Sequence, residues 1–231
     1  MKINVPFTKL RHIVHLADIH IRLFRRHEEY ELAFEKLYSD IRSKQLEDFV
    51  IVLAGDIVHA KTDMSPEMVE ITSRFLKNIA DIAPTILIAG NHDCNLANTN
   101  RMDALTPLIN NLQHPQLYYV KDSAIVTVAD TQFAVMSIFD EHDTWPVATE
   151  LTTPHKIALY HGPVHGAVTD ANFTITNRHV NISTFDGFDM VLLGDIHKPA
   201  QVLQTYTVEE MEIDECNLEK YLENGWEIDV P

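Results

Sequence analysis

FVIVLAGD, residues 49–56, is a run of six apolar residues, rich in β-branched types, closed by a glycine and an aspartate. A half-buried strand alternates apolar and polar positions. A continuous apolar run of this length is the signature of a strand covered on both faces. Four other segments have the same design. Ile13–Ala17 runs into Asp18-Ile19-His20, and Thr85–Ala89 into Gly90-Asn91-His92-Asp93. Lys156–Tyr160 runs into His161-Gly162, and Asp189–Leu193 into Gly194-Asp195-Ile196-His197. Each is a short buried strand ending in residue types that bind metals.

The intervening sequence reads as helix on the N-terminal side. Residues 28–43 carry apolar positions at Leu32, Phe34, Leu37, Tyr38 and Ile41, an amphipathic spacing. Ser65-Pro66 is a helix start, with serine as N-cap and proline at the first helical position, and that helix runs to about Ile82. A third helix is expected over 101–112. Leu117–Val120, Ala124–Val128 and Gln132–Ile138 follow as closely spaced strands, which predicts hairpins or a meander. The whole is an α/β chain.

In open α/β sheets ligands bind beyond the carboxyl ends of the strands. Five such ends carry Asp18, His20, Asp56, Asn91, His161, Asp195 and His197. Taken singly, Gly-Asp after a strand is a turn, and Asp-X-His arises often by chance. Five clusters placed directly after buried strands point to one site. Mixed carboxylate and imidazole donors suit Mn, Fe or Zn. Seven ligands exceed one ion's needs and suit two ions ~3.5–4 Å apart that share a carboxylate, for which Asp56, central in the set, is the natural bridge.

The phrases HLADIHIR (15–22), LAGDIVHAK (53–61), LIAGNHDCN (87–95), LYHGPVHGA (159–167) and LLGDIHKPAQ (192–201) resemble the calcineurin-like metallophosphoesterase superfamily. Within it their wording is most similar to the SbcD-type nucleases of DNA double-strand-break repair and recombination. The resemblance implies a β-sandwich flanked by helices (αββα) over residues 1–200. It implies that Asp18, His20 and His197 hold one divalent ion, that Asn91 and His161 hold a second, and that Asp56 bridges. His92 would act on the phosphate or the leaving oxygen, and His59, where phosphatases usually carry a carboxylate, would orient phosphate or assist His92. The implied activity is exonuclease or endonuclease cleavage of DNA with Mn²⁺. The implied partners are DNA and an SbcC-type ABC ATPase, and a homodimer is expected; no ATP-binding P-loop sequence occurs in the chain itself. Alternatives are a phosphatase of the same superfamily and a non-catalytic interaction protein.

Two features depart from the pattern. Asp195 stands where most members have histidine, and it is read as a ligand to the second ion. The family continues past its last motif with further strands, whereas residues 201–231 hold nine acids and one base, an acidic tail that leaves those strands incomplete. This tail carries half of the net charge of −16, a balance that excludes a passive nucleic-acid coat. Two cysteines, Cys94 and Cys216, with no signal-like leader and no apolar run long enough to span a membrane, predict a cytoplasmic or otherwise intracellular protein. His165 is expected to be structural, and Cys94 a small buried residue rather than a nucleophile.

Overall fold

The computed structural model describes residues 1–197 apart from Phe24, Lys61, Thr62, Thr99, Asn100, Asp170, Asn177 and Arg178. Lys61 and residues 198–201 of the quoted phrases, Cys216 and the acidic tail lie outside the described residues.

The expected strands form. They are β1 (Lys2–Ile3), β2 (His12–Leu16), β3 (Phe49–Ala54), β4 (Thr85–Ile88), β5 (Leu117–Tyr119), β6 (Ala124–Val128), β7 (Thr131–Met136), β8 (His155–His161) and β9 (Met190–Gly194). The helices are α1 (His27–Ser43), α2 (Pro66–Ala80) and α3 (Leu105–Leu112). Two sheets result, a four-stranded parallel sheet β2-β3-β4-β5 and a five-stranded sheet β1-β6-β7-β8-β9. The second is parallel except for the β6–β7 hairpin.

Of the expected hairpins or meander, one hairpin forms. β6 and β7 pair as a hairpin, but β5 crosses to the other sheet and pairs in parallel with β4. α3 makes this a right-sized crossover, since parallel neighbours need a connection of a dozen or more residues. β1 carries too short an apolar signal to be read from sequence.

The apolar run at 49–54 is explained by its two neighbours. Val50, Val52 and Ala54 face the other sheet and pack with Ile86, Ile88, Val126, Val128, Phe133, Val135, Ile157 and Leu159. Ile51 and Leu53 face the helices and pack with Phe34, Ile71, Phe75 and Leu76. Ser65 caps α2 by accepting from Met68 N at 3.2 Å, with Pro66 in the first turn. α2 then buries Met68, Ile71, Thr72, Phe75, Leu76 and Ile79 on one face. Fully burying a side chain such as Phe75 is worth ~1.5–3 kcal/mol. In α1, Phe34, Tyr38 and Ile41 are buried while Leu32 points to solvent. The outer face of the five-stranded sheet is covered by short 3-10 turns and loops, with Trp145, Val180 and Phe185 packed on Ala158 and Tyr160. The layering is thus helices, sheet, sheet, and a thin fourth layer. Among the described residues no helix is long and apolar enough to cross a membrane.

All five motif-bearing strands end at one pole. Cross-sheet bonds show it: His161 Nδ1, at the end of β8, bonds Ala54 O at 2.7 Å, at the end of β3. Asp195 N, beyond β9, donates to both oxygens of Asp18, beyond β2, at 3.0 and 3.2 Å.

Candidate metal centre

The backbone leaves the ordinary strand conformation just beyond β2, β3 and β9. Asp18, His20, Asp56, Asp195 and His197 all have positive φ, between 52° and 79°. Aspartate and histidine are among the non-glycine residues that tolerate this region best. Such strained positions cluster where side chains must be aimed. The loops are laced together as they turn. Asp18 N donates to Gly55 O, His20 N to Asp56 O, Ile21 N to Ile57 O and His59 N to Ile21 O, at 2.9–3.1 Å.

These loops bring every expected site residue to one place. Ligand atoms of Asp18, His20, Asp56 and His197 lie within 4.8 Å of one another, and so do those of Asp56, His161 and Asp195. Asp56 belongs to both groups, and its two oxygens face different ways. Oδ2 lies 3.6 Å from His20 Nε2, and Oδ1 lies 3.4 Å from His161 Nε2. In the first group His20 Nε2 and His197 Nε2 face each other at 3.1 Å, and His197 Nε2 is 3.5 Å from Asp18 Oδ1. In the second, Asn91 Nδ2 donates to Asp195 Oδ1 at 3.1 Å. A third group, His20, His59 and His92, adjoins the first.

A divalent cation fits these donors. Asp56 Oδ2 and His161 Nε2 are buried with no hydrogen-bond partner among the described residues. Unpaired buried polar atoms are costly, and an ion satisfies them. His161 also has its tautomer set for ligation. Its Nδ1–H donates to Ala54 O, which makes Nε2, turned toward Asp56, the nitrogen that an ion would take in place of a proton. Electrostatics agree. Burial pushes the Asp18 and Asp195 carboxyls above their ordinary pKa, and neighbouring carboxylates add to this at both. Burial also acts upward on Asp56, but His161, the His92 amide and His20 together hold it below the usual value. His161 is raised: burial acts downward, and the Asp56 carboxylate overrides it. His20 is pushed down to about 4, by burial first and then by its imidazole neighbours, with Asp56 pulling the other way. A cluster with this much mutually repelling negative charge invites a cation.

His92 is held differently. Its backbone N donates to Asp56 Oδ1 at 2.7 Å, and its ring Nδ1 bonds the His59 carbonyl at 2.8 Å. The free end of the ring is therefore Nε2. The His59 ring stacks on it at 5.2 Å, and the His20 ring meets it edge-on at 4.7 Å. Burial lowers the pKa of His59, and Arg22 lowers it further. His165 joins no ligand group among the described residues; its backbone N bonds Val180 O. Cys94 is buried, with Sγ 3.5 Å from Gly90 O.

Sequence reasoning missed why glycine stands before Asp56, Asn91 and Asp195. A Cβ on Gly55, Gly90 or Gly194 would meet the His161 ring in each case. Three glycines from three strand ends thus make the slot that the imidazole fills. It also assigned nothing to Asp93, whose carboxylate is fully buried among the loops. The only signal for either was the repeated strand-Gly-polar wording itself.

A family model described as calcineurin-like phosphoesterase matches residues 11–199. An uncharacterized protein of Acanthamoeba polyphaga mimivirus is 45% identical over 203 residues. That match covers 83% of this chain but 15% of the viral protein, so the chain spans a small part of this relative's length. The crystal structure of the Pseudomonas putida nuclease MPE superposes with a TM-score of 0.37 at 19% identity, covering 71% of this chain and 67% of that one.

Proposed function

The chain belongs to the calcineurin-like phosphoesterase family, and on that premise we propose that it is a two-cation phosphodiester hydrolase acting on DNA, an exonuclease or endonuclease. The observation that carries the reading is the pair of ligand groups sharing Asp56. Asp18, His20, Asp56 and His197 would hold one cation; Asp56, Asn91, His161 and Asp195 would hold the other. When bound, the ions would supply Lewis acidity and charge compensation for a phosphoryl group. Oxygen donors from four side chains beside three imidazoles suit Mn²⁺.

The remaining chemistry falls to His92 and His59. With Nδ1–H fixed on the His59 carbonyl, His92 is oriented so that Nε2 can donate to a phosphoryl oxygen or pass a proton to the leaving sugar oxygen as the P–O bond breaks. The stacked His59 ring keeps that orientation and adds a second imidazole at the phosphate position. His59 at this place is also what favours a nuclease over a phosphatase, by the wording of the nuclease-type motifs. The resemblance extends the proposal to an intracellular role in DNA repair or recombination, an SbcC-type ATPase partner and a homodimer.

A phosphatase reading is favoured by one observation, the net charge of −16, which opposes a polyanionic substrate. A Mn²⁺-dependent assay on end-labelled linear DNA and on p-nitrophenyl phosphate decides between them. DNA cleavage with slow monoester turnover supports the proposal. Monoester turnover alone makes it a phosphatase, and no turnover of either substrate sinks the enzyme reading.

A further inference from the structure

The most constrained carboxylate near the centre belongs to none of the ligand groups. Asp93 is fully buried, and both of its oxygens are spent on backbone amides. Oδ1 accepts from Val58 N at 2.9 Å. Oδ2 accepts from Gly90 N at 2.8 Å and from Ile57 N at 3.3 Å. Ile57 and Val58 directly follow Asp56 beyond β3, while Gly90 directly precedes Asn91 and His92 beyond β4. One carboxylate therefore ties together the two loops that carry the bridging candidate and the phosphate-facing histidine. The same two loops are joined by the His92 N to Asp56 Oδ1 bond. The bracing extends further, because Val58 pairs with Ile21 and Asp56 O accepts from His20 N, which anchors the β2 loop. On its other side the Asp93 carbonyl accepts from Ala104 N at 2.8 Å, at the start of α3. No shift in any ligand's own rotamer can substitute for these bonds, since they act on main chain.

We propose that Asp93 is a positioning residue for the two-cation centre: its carboxylate sets the spacing between Asp56 and the Asn91-His92 pair, and so the affinity for the ions. The inference rests on the two-cation reading above. An acceptor-only group is required. Asparagine has nearly the same shape, but its NH₂ must face an amide N–H on one side or the other, a donor against a donor. The loops must then separate at that point, and Asp56 moves with its loop.

The test compares Asp93→Asn with Val128→Ala. Val128, the last residue of β6 in the β6–β7 hairpin, is buried in the sheet-to-sheet core and forms no part of the site. It therefore reports a stability loss without a loss of positioning. Mn²⁺ binding is measured directly, by equilibrium dialysis or by the EPR signal of free Mn²⁺. Outer groups that orient metal ligands typically change affinity or activity by ~10–100-fold. Asp93→Asn is expected to weaken Mn²⁺ binding by that factor, while Val128→Ala binds as the unchanged protein does. Equal Mn²⁺ binding by Asp93→Asn and the unchanged protein overturns the proposal, whatever the melting temperatures. Should Asp93→Asn not fold, Asp93→Glu is measured the same way. Glutamate keeps the carboxyl group but overreaches the three amides, so weakened Mn²⁺ binding is again expected, and unchanged binding overturns the proposal. A protein that binds Mn²⁺ but hydrolyses neither substrate would reject the enzymatic reading and leave this inference standing.

Discussion

Replacing Gly55 by alanine puts a methyl group into the slot that His161 occupies. The ideal Cβ lies 2.5 Å from His161 Nδ1 and 2.8 Å from Gly90 N. Ordinary contact needs ~3.5 Å, so the ring must withdraw by roughly 1 Å. The alternative, moving the Gly90 backbone, drags Asn91 and His92 with it. Withdrawal breaks the 2.7 Å bond from Nδ1 to Ala54 O, and a buried bond lost with its partner left unsatisfied costs ~1–3 kcal/mol. Gly55 also has φ +85°, where a side chain adds ~1–2 kcal/mol of backbone strain. The two together predict destabilisation of ~2–5 kcal/mol, a fall in melting temperature of roughly 5–15 °C for a domain of this size. Gly166 supplies the control, with φ +87° and nothing within 4 Å of its Cβ. Gly166→Ala should therefore show the strain alone. The distinguishing readout is metal content: Gly55→Ala should lose the ion nearest His161, while Gly166→Ala keeps both. Turnover in Gly55→Ala should fall by ~10²-fold or more, the usual result of a 1 Å misplacement. Metal content and turnover equal in the two variants would refute the argument that these glycines exist to house the imidazole.

Three further outcomes are expected. His92→Ala should keep its metal content and lose ~10²–10⁴-fold in turnover, since the proposal assigns its ring to the phosphate and not to the two ligand groups sharing Asp56; loss of both ions on elemental analysis would contradict that assignment. Asp195→His should shift activity from Mn²⁺ toward Zn²⁺, because imidazole is the softer donor and cannot accept the Asn91 bond while ligating. Metal titration profiles identical to those of the unchanged chain would show that Asp195 is not a ligand. Asp103 receives the Leu105 and Thr106 amides at the start of α3 and pairs with Lys121 at 3.0 Å. Burial acts to raise its pKa, but the Thr106 hydroxyl and amide and Lys121 overcome this and depress it. The stability it contributes through its bonds to the first amides of α3, ~1 kcal/mol, is therefore present above its unfolded pKa of ~3.9 and lost as pH falls through the lower folded value. Melting curves of Asp103→Asn should lie below those of the unchanged chain at neutral pH and converge with them in acid, and a constant gap at all pH values would be inconsistent with this.

What could be read from the sequence alone is what local chemistry encodes. An unbroken apolar run of six, β-branched and closed by Gly-Asp, as in FVIVLAGD, reads as a strand with both faces covered. Ser65-Pro66 starts a helix by satisfying one amide and lacking another. Repetition of metal-binding types directly after buried strands marks Asp18, His20, Asp56, Asn91, His161, Asp195 and His197 as one set before any coordinates are known, because parallel strands deliver their carboxyl ends to one edge. Tertiary structure decided everything that depends on a distant partner. Leu117–Tyr119 and Ala124–Val128 both read as short strands, yet they join different sheets, since what separates them is the surface each finds to cover. Gly55, Gly90 and Gly194 read as turn residues. Their packing reason is an imidazole on another sheet, which no local pattern can announce. Asp93 reads as the end of a turn, yet two of the three amides it holds lie more than thirty residues away. The identity of the donors is thus a local property of the chain, whereas their aim and spacing are set by hydrogen bonds and close contacts between loops that only folding brings together.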